Sequence, residues 1–131
     1  MPQETDAVPK HVLVVDDNVQ LAQTFSELLQ AHGYRVTLAN DGVQALKLLN
    51  QAELHAIVCD LSMPQLEGDM FYNAAQHVRP DLTNRFIFVT GHADNPKYEA
   101  FLKKVEARVF TKPVVVEQLV EGIKEVVNGR V

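Results

Sequence analysis

One cysteine in 131 residues, Cys59, excludes an internal disulfide, and its place in an apolar run fits a reducing, cytoplasmic setting. No apolar stretch approaches the ~20 residues that cross a bilayer as a helix. Met1–Lys10 holds no apolar segment, so it does not read as a signal peptide. No cluster of Lys and Arg marks a face, and the formal net charge is −5, which argues against direct contact with nucleic acid. The five histidines show no metal-ligand spacing; His11, His32, His55 and His77 read as surface or strand-end residues. There is no linker, low-complexity segment or internal repeat. What remains is a chain with 47% hydrophobic residues, enough for one core and too short for two. Residues 1–9 are expected to form a mobile tail and residues 10–131 one domain.

Strand-like and helix-like patterns alternate along that domain. His11–Val15, Ala56–Cys59 and Phe86–Val89 are continuous apolar runs, as expected of strands buried on both faces. Tyr34, Val36 and Leu38 alternate with Arg35 and Thr37, the pattern of a half-exposed edge strand. Val109–Phe110 gives a short fifth strand. Between them lie five helical stripes. Leu21, Phe25, Leu28 and Leu29 stop at Gly33. Ala45, Leu46 and Leu49 form the second, and Phe71, Ala74, Ala75 and Val78 the third, which ends at Pro80. Tyr98, Phe101, Leu102 and Val105 form the fourth, and Val116, Leu119, Val120, Ile123 and Val127 the last. Five βα units imply an α/β fold with a doubly wound, five-stranded parallel sheet and helices on both faces.

Polar residues stand just past the strand ends: Asp16-Asp17 after the first, Asp60 after the third, Lys112-Pro113 after the fifth. In a sheet of order 2-1-3-4-5, strands 1 and 3 are neighbours at the switch point, where such folds place their chemistry. Three carboxylates crowded there repel one another. Mg²⁺, or Mn²⁺ in its place, suits such an all-oxygen set and leaves room for a phosphate oxygen. The competing reading of Asp16 or Asp17 is that it caps the following helix.

Val14-Val15-Asp16-Asp17, Asp60-Leu61-Ser62-Met63-Pro64 with Gly68, Val89-Thr90-Gly91 and Thr111-Lys112-Pro113 resemble the response-regulator receiver domain of two-component signalling. The spacing matches as well: Asp60 follows Asp16 by 44 positions, Thr90 follows Asp60 by 30, and Lys112 follows Thr90 by 22. The resemblance covers about residues 10 to 128 and implies a flavodoxin-like fold. It implies that Asp60 accepts a phosphoryl group from a histidine kinase or histidine phosphotransfer protein. Asp17, Asp60 and the Ser62 backbone carbonyl would hold Mg²⁺ directly, and Asp16 through water. Lys112 would pair with a phosphoryl oxygen, and the Lys112-Pro113 peptide bond would be cis. Thr90 would turn its hydroxyl to the phosphoryl group, and Phe110 would be the aromatic switch residue, the competing reading being a core phenylalanine in a short strand. From its position alone, His92, two after Thr90, flanks the site, where its ring would shield the phosphoryl group from water, the competing reading being that it orients a water. A downstream protein would read the surface of the last two helices.

Other functions are weighed on the same residues. An aspartate-nucleophile phosphatase shares Mg²⁺ and a phospho-aspartate, but Leu61-Ser62 follow Asp60 where Asp-x-Asp is usual. A phosphorylation-independent adaptor would not need every acidic and basic site residue. A flavodoxin-like cofactor binder lacks its phosphate loop after the first strand, where Asp16-Asp17 would repel phosphate. The Arg85–His92 stretch resembles receivers attached to hybrid kinases, whereas Met1 favours an independent start.

Overall fold

The computed structural model describes residues 8–50, 53–63, 65–91 and 95–129. Five parallel strands form one sheet in the order β2-β1-β3-β4-β5: β1 is His11–Val15, β2 Arg35–Ala39, β3 Ala56–Asp60, β4 Phe86–Thr90 and β5 Arg108–Thr111. Among the described residues the α-helices are α1 Val19–Ala31, α2 Gly42–Leu48, α3 Gly68–Val78, α4 Pro96–Lys104 and α5 Val116–Val127. A 3-10 segment, Pro80–Arg85, follows α3. It begins at Pro80, whose fixed φ suits a helical first turn.

The three central strands are buried on both faces, which accounts for their unbroken apolar runs. Alternate residues enter two separate cores. Leu13, Val15, Ile57, Cys59, Phe86 and Phe88 pack under α2, α3 and α4. Val12, Val14, Val58, Ile87 and Val89 pack under α1 and α5, against Phe25, Leu29, Leu119 and Ile123. β2 is an edge strand, exposed at Arg35 and buried only at Ala39, as its alternation predicts.

On the first face five aromatic rings join strand to helix. Tyr72 meets Phe86 edge-on at 4.9 Å between centroids, and Phe88 meets Phe101 edge-on at 5.2 Å. Such pairs contribute about 0.5–1.5 kcal/mol each beyond their buried area.

Some expectations shift. Val78 is 41% exposed, and Tyr72 takes the buried place on α3. His11 opens a strand as expected but is buried. Its ring bonds to Thr37 Oγ1 and to the Glu53 carbonyl, and its backbone N–H donates to His55 Nδ1. The tail expected at residues 1–9 falls mostly outside the described residues.

Candidate functional site

The ends of β1, β3 and β4 bring Asp16 with Asp17, Asp60 and Thr90 to the same end of the sheet. Val15 pairs with Cys59 in register, so Asp16 and Asp60 emerge side by side. The Asp16 N–H donates to the Ala39 carbonyl at 3.1 Å, extending the pairing past β1 and fixing the residue. Asp16 and Asp60 are buried, whereas Asp17 is exposed. One carboxylate oxygen from each of the three lies within 4.8 Å of the others.

Capping does not explain these carboxylates. Asn18 is the N-cap of α1, its side chain accepting from the Leu21 N–H at 3.1 Å. Asp16 accepts from the Asn18 N–H at 2.9 Å, which steadies the turn before the helix. Asp17 is left to face the cluster.

Lys112 arrives from the far strand. Thr90 pairs with Thr111, and the Lys112 N–H donates to the Thr90 carbonyl at 2.8 Å. Lys112 Nζ lies 3.3 Å from Asp16 Oδ2 and 3.4 Å from Asp60 Oδ2. The Lys112-Pro113 bond is cis, as the resemblance implied. Thr90 is fully buried at the end of β4. The segment after Asp60 folds back tightly: the Ser62 N–H donates to Asp60 Oδ1 at 3.3 Å and the Gly68 N–H to the Leu61 carbonyl at 2.9 Å. A Cβ on Gly68 would lie 2.4 Å from the Asp60 carbonyl oxygen, so only glycine fits there.

The electrostatics are under-compensated. Burial lifts the Asp60 carboxyl from its ordinary 3.8 to about 6; Lys112 opposes the rise and Asp16 adds to it. Burial likewise pushes the Cys59 thiol well up, which makes it an inert core residue. Among the described residues one ammonium, that of Lys112, pairs with this cluster of three carboxylates, at Asp16 and Asp60. An all-oxygen site short of positive charge fits a hard divalent cation such as Mg²⁺.

A family model for the response regulator receiver domain matches residues 12–124. The chain belongs to that family. This receiver domain is 29% identical over 117 residues to the transcriptional regulatory protein GlrR of Escherichia coli (strain K12), across 89% of this chain and 26% of that protein. It thus spans about a quarter of that relative's length. It is 28% identical over 116 residues to a probable chemotaxis protein CheY of Rhizobium etli, covering 88% of this chain and 90% of that one. It matches the solved CheY-like receiver domain protein of Methanospirillum hungatei JF-1 with a TM-score of 0.84 and 26% identity, over 94% and 97% of the two chains. As a receiver domain it is a phosphorylation-dependent signalling switch.

The expected site residues do not all converge. Asp16, Asp17, Asp60 and Lys112 do, and Thr90 closes the neighbouring strand. Phe110 does not join them. Thr90 and Thr111 are register partners and share a face, so Phe110 points to the other one. There it packs with the α1 and α5 core, and a Cβ on Gly122 of α5 would lie 3.1 Å from its ring. Val109, one residue earlier, packs on Thr90's face. His92 and Pro64 lie outside the described residues.

Sequence reasoning missed one feature beside the site. Tyr98 of α4 reads as an ordinary core residue, yet its hydroxyl donates to Glu67 Oε1 at 3.0 Å. No local pattern signals a partner 31 positions away.

Proposed function

We propose that Asp60 is the residue that accepts the phosphoryl group. The observation that carries this is the convergence of Asp16, Asp17 and Lys112 on one buried carboxylate. An Asp60 oxygen attacks the phosphorus of a phosphohistidine, the phosphorus–nitrogen bond breaks, and the imidazole leaves with a proton from solvent. A carboxyl poised at about 6 is mostly ionised near neutral pH and can act as the nucleophile.

Asp17, Asp60 and the Ser62 backbone carbonyl would hold Mg²⁺ or Mn²⁺, with Asp16 acting through water. When bound, the cation supplies charge neutralisation for the equatorial phosphoryl oxygens. Lys112 supplies the second positive charge, and its ammonium leaves Asp60 for a phosphoryl oxygen after transfer. Thr90, at the end of the next strand, donates its hydroxyl to another oxygen. Positioning and charge are most of what this chemistry requires. Later hydrolysis of the acyl phosphate by water returns Asp60 and inorganic phosphate, so the domain assists its own resetting without being a general phosphatase.

The donor is a cytoplasmic histidine kinase or histidine phosphotransfer protein, and the reader is a protein that binds the α4 and α5 surface. It must contact the two states differently for phosphorylation to shift its binding. Phe110, seated on Gly122, acts in this scheme on α5 rather than on Thr90. The test is labelling by acetyl phosphate with and without Mg²⁺ in the wild type, Asp17→Ala and Lys112→Ala. The expected order is full labelling, little and little. Equal labelling of all three without Mg²⁺ would refute the proposed roles.

A further inference from the structure

We infer that Tyr98 is a positioning residue that couples cation loading at the acidic pocket to the seating of α4. The inference rests on the reading of that pocket as a divalent-cation site with the Ser62 carbonyl among its ligands. Tyr98 is the buried residue of α4; Phe101 and Leu102 are half-buried, and the remaining residues are exposed. Where its ring sits therefore decides where the helix sits.

The ring is held from the pocket side. Its hydroxyl donates to Glu67 Oε1 at 3.0 Å. Lys97, also on α4, donates to the second Glu67 oxygen at 2.5 Å. Glu67 occupies the N-cap position of α3, yet among the described residues its carboxylate bonds to α4 instead. Ser62 and Glu67 belong to the short segment that leaves Asp60 and returns against it at Gly68. The Gly68 N–H holds the Leu61 carbonyl, one residue before Ser62, so a shift of Ser62 toward a cation is passed through Gly68 to Glu67 and from there to the Tyr98 hydroxyl. Thr90 is not needed for this route, and neither is Phe110.

Linkage makes the coupling reciprocal: whatever factor the cation exerts on α4, the clasp exerts on cation affinity. A part-buried hydroxyl bond of this kind leaves room for about a fivefold effect, at the low end of measured couplings. The charge tie through Lys97 is exposed and screened, so it adds little.

The experiment is hydrogen–deuterium exchange of the full chain with and without Mg²⁺, alongside Mg²⁺ titration calorimetry. In the wild type, Mg²⁺ should slow exchange in α4 about fivefold. Tyr98→Phe and Glu67→Ala should each weaken Mg²⁺ binding by about the same factor and leave α4 exchange indifferent to Mg²⁺. Glu67→Gln keeps an oxygen acceptor for the phenol and should restore both, and Lys97→Ala should change neither. A merely structural tyrosine would not show that rescue. Wild-type Mg²⁺ affinity in Tyr98→Phe, or full response of its α4 to Mg²⁺, overturns the inference. Failure of the wild type to bind Mg²⁺ overturns the cation reading instead. The clasp is then judged without metal: Tyr98→Phe must speed exchange in α4 and in the 61–67 segment together, and speeding in α4 alone refutes it.

Discussion

Replacing Asp60 with asparagine should stabilise the metal-free domain, although it abolishes the proposed chemistry. The carboxyl is 5% exposed and titrates at about 6 instead of 3.8. At about 1.36 kcal/mol per pH unit, keeping it ionised in the fold costs roughly 3 kcal/mol at neutral pH. Asparagine removes that cost and still offers an oxygen to the Ser62 N–H. Lys112 loses one partner and keeps Asp16 at 3.3 Å. After that loss, the net gain should be about 1–2 kcal/mol. The pH dependence has a definite sign. Below 3.8 neither folded nor unfolded chain ionises Asp60, so the wild type carries no penalty. Between 3.8 and about 6 the unfolded chain gives up its proton first, and wild-type stability falls as pH rises; above that the full penalty is present. Urea unfolding in chelator at about pH 7.5 and about pH 4.5 measures the difference between the two proteins. The variant should be more stable at the higher pH, with the gap closing at the lower one. A variant less stable than wild type at the higher pH would refute the argument from charge crowding.

Three further outcomes follow from the same geometry. Mg²⁺ at a hundredfold excess over Kd should stabilise the wild type by ~2.7 kcal/mol; Asp17→Ala should lose most of this and Asp16→Ala less, as read by thermal melts. Gly68→Ala forces a methyl group against the Asp60 carbonyl, so it should cost about 1–3 kcal/mol in urea unfolding and weaken Mg²⁺ binding as Asp60 shifts. His55 must keep Nδ1 unprotonated to accept the His11 N–H, and burial first, then Lys10, lower its pKa below 6.5. That stability is present above 6.5 and lost as pH falls below it, because the unfolded histidine protonates first. In an Asp60→Asn background, where the opposite trend of Asp60 is absent, His55→Gln should flatten the decline between about pH 7 and pH 5.

Much of this was legible because burial on both faces writes itself as unbroken apolar runs. Val12–Val15, Ala56–Cys59 and Phe86–Val89 could be little else, and the switch-point rule then placed Asp16 beside Asp60. The rest depends on relations that one strand or helix does not contain. Which face Phe110 takes follows from the pairing of Thr90 with Thr111, and that register is set by the whole sheet. Tyr72 replaces Val78 on the buried side of α3 because its ring completes the aromatic cluster with Phe86 and Phe88. His11 is buried because Thr37, Glu53 and His55, from three places in the chain, satisfy it. The Glu67–Tyr98 bond is equally non-local.

The central claim is that Asp60 carries the phosphoryl group. Mass spectrometry of the intact protein after incubation with acetyl phosphate and Mg²⁺, followed by fragmentation to locate the adduct, tests it directly. A single phosphoryl group on Asp60, absent without Mg²⁺ and absent in Asp60→Asn, is the result predicted. An adduct on another residue, or undiminished labelling of Asp60→Asn, would contradict it.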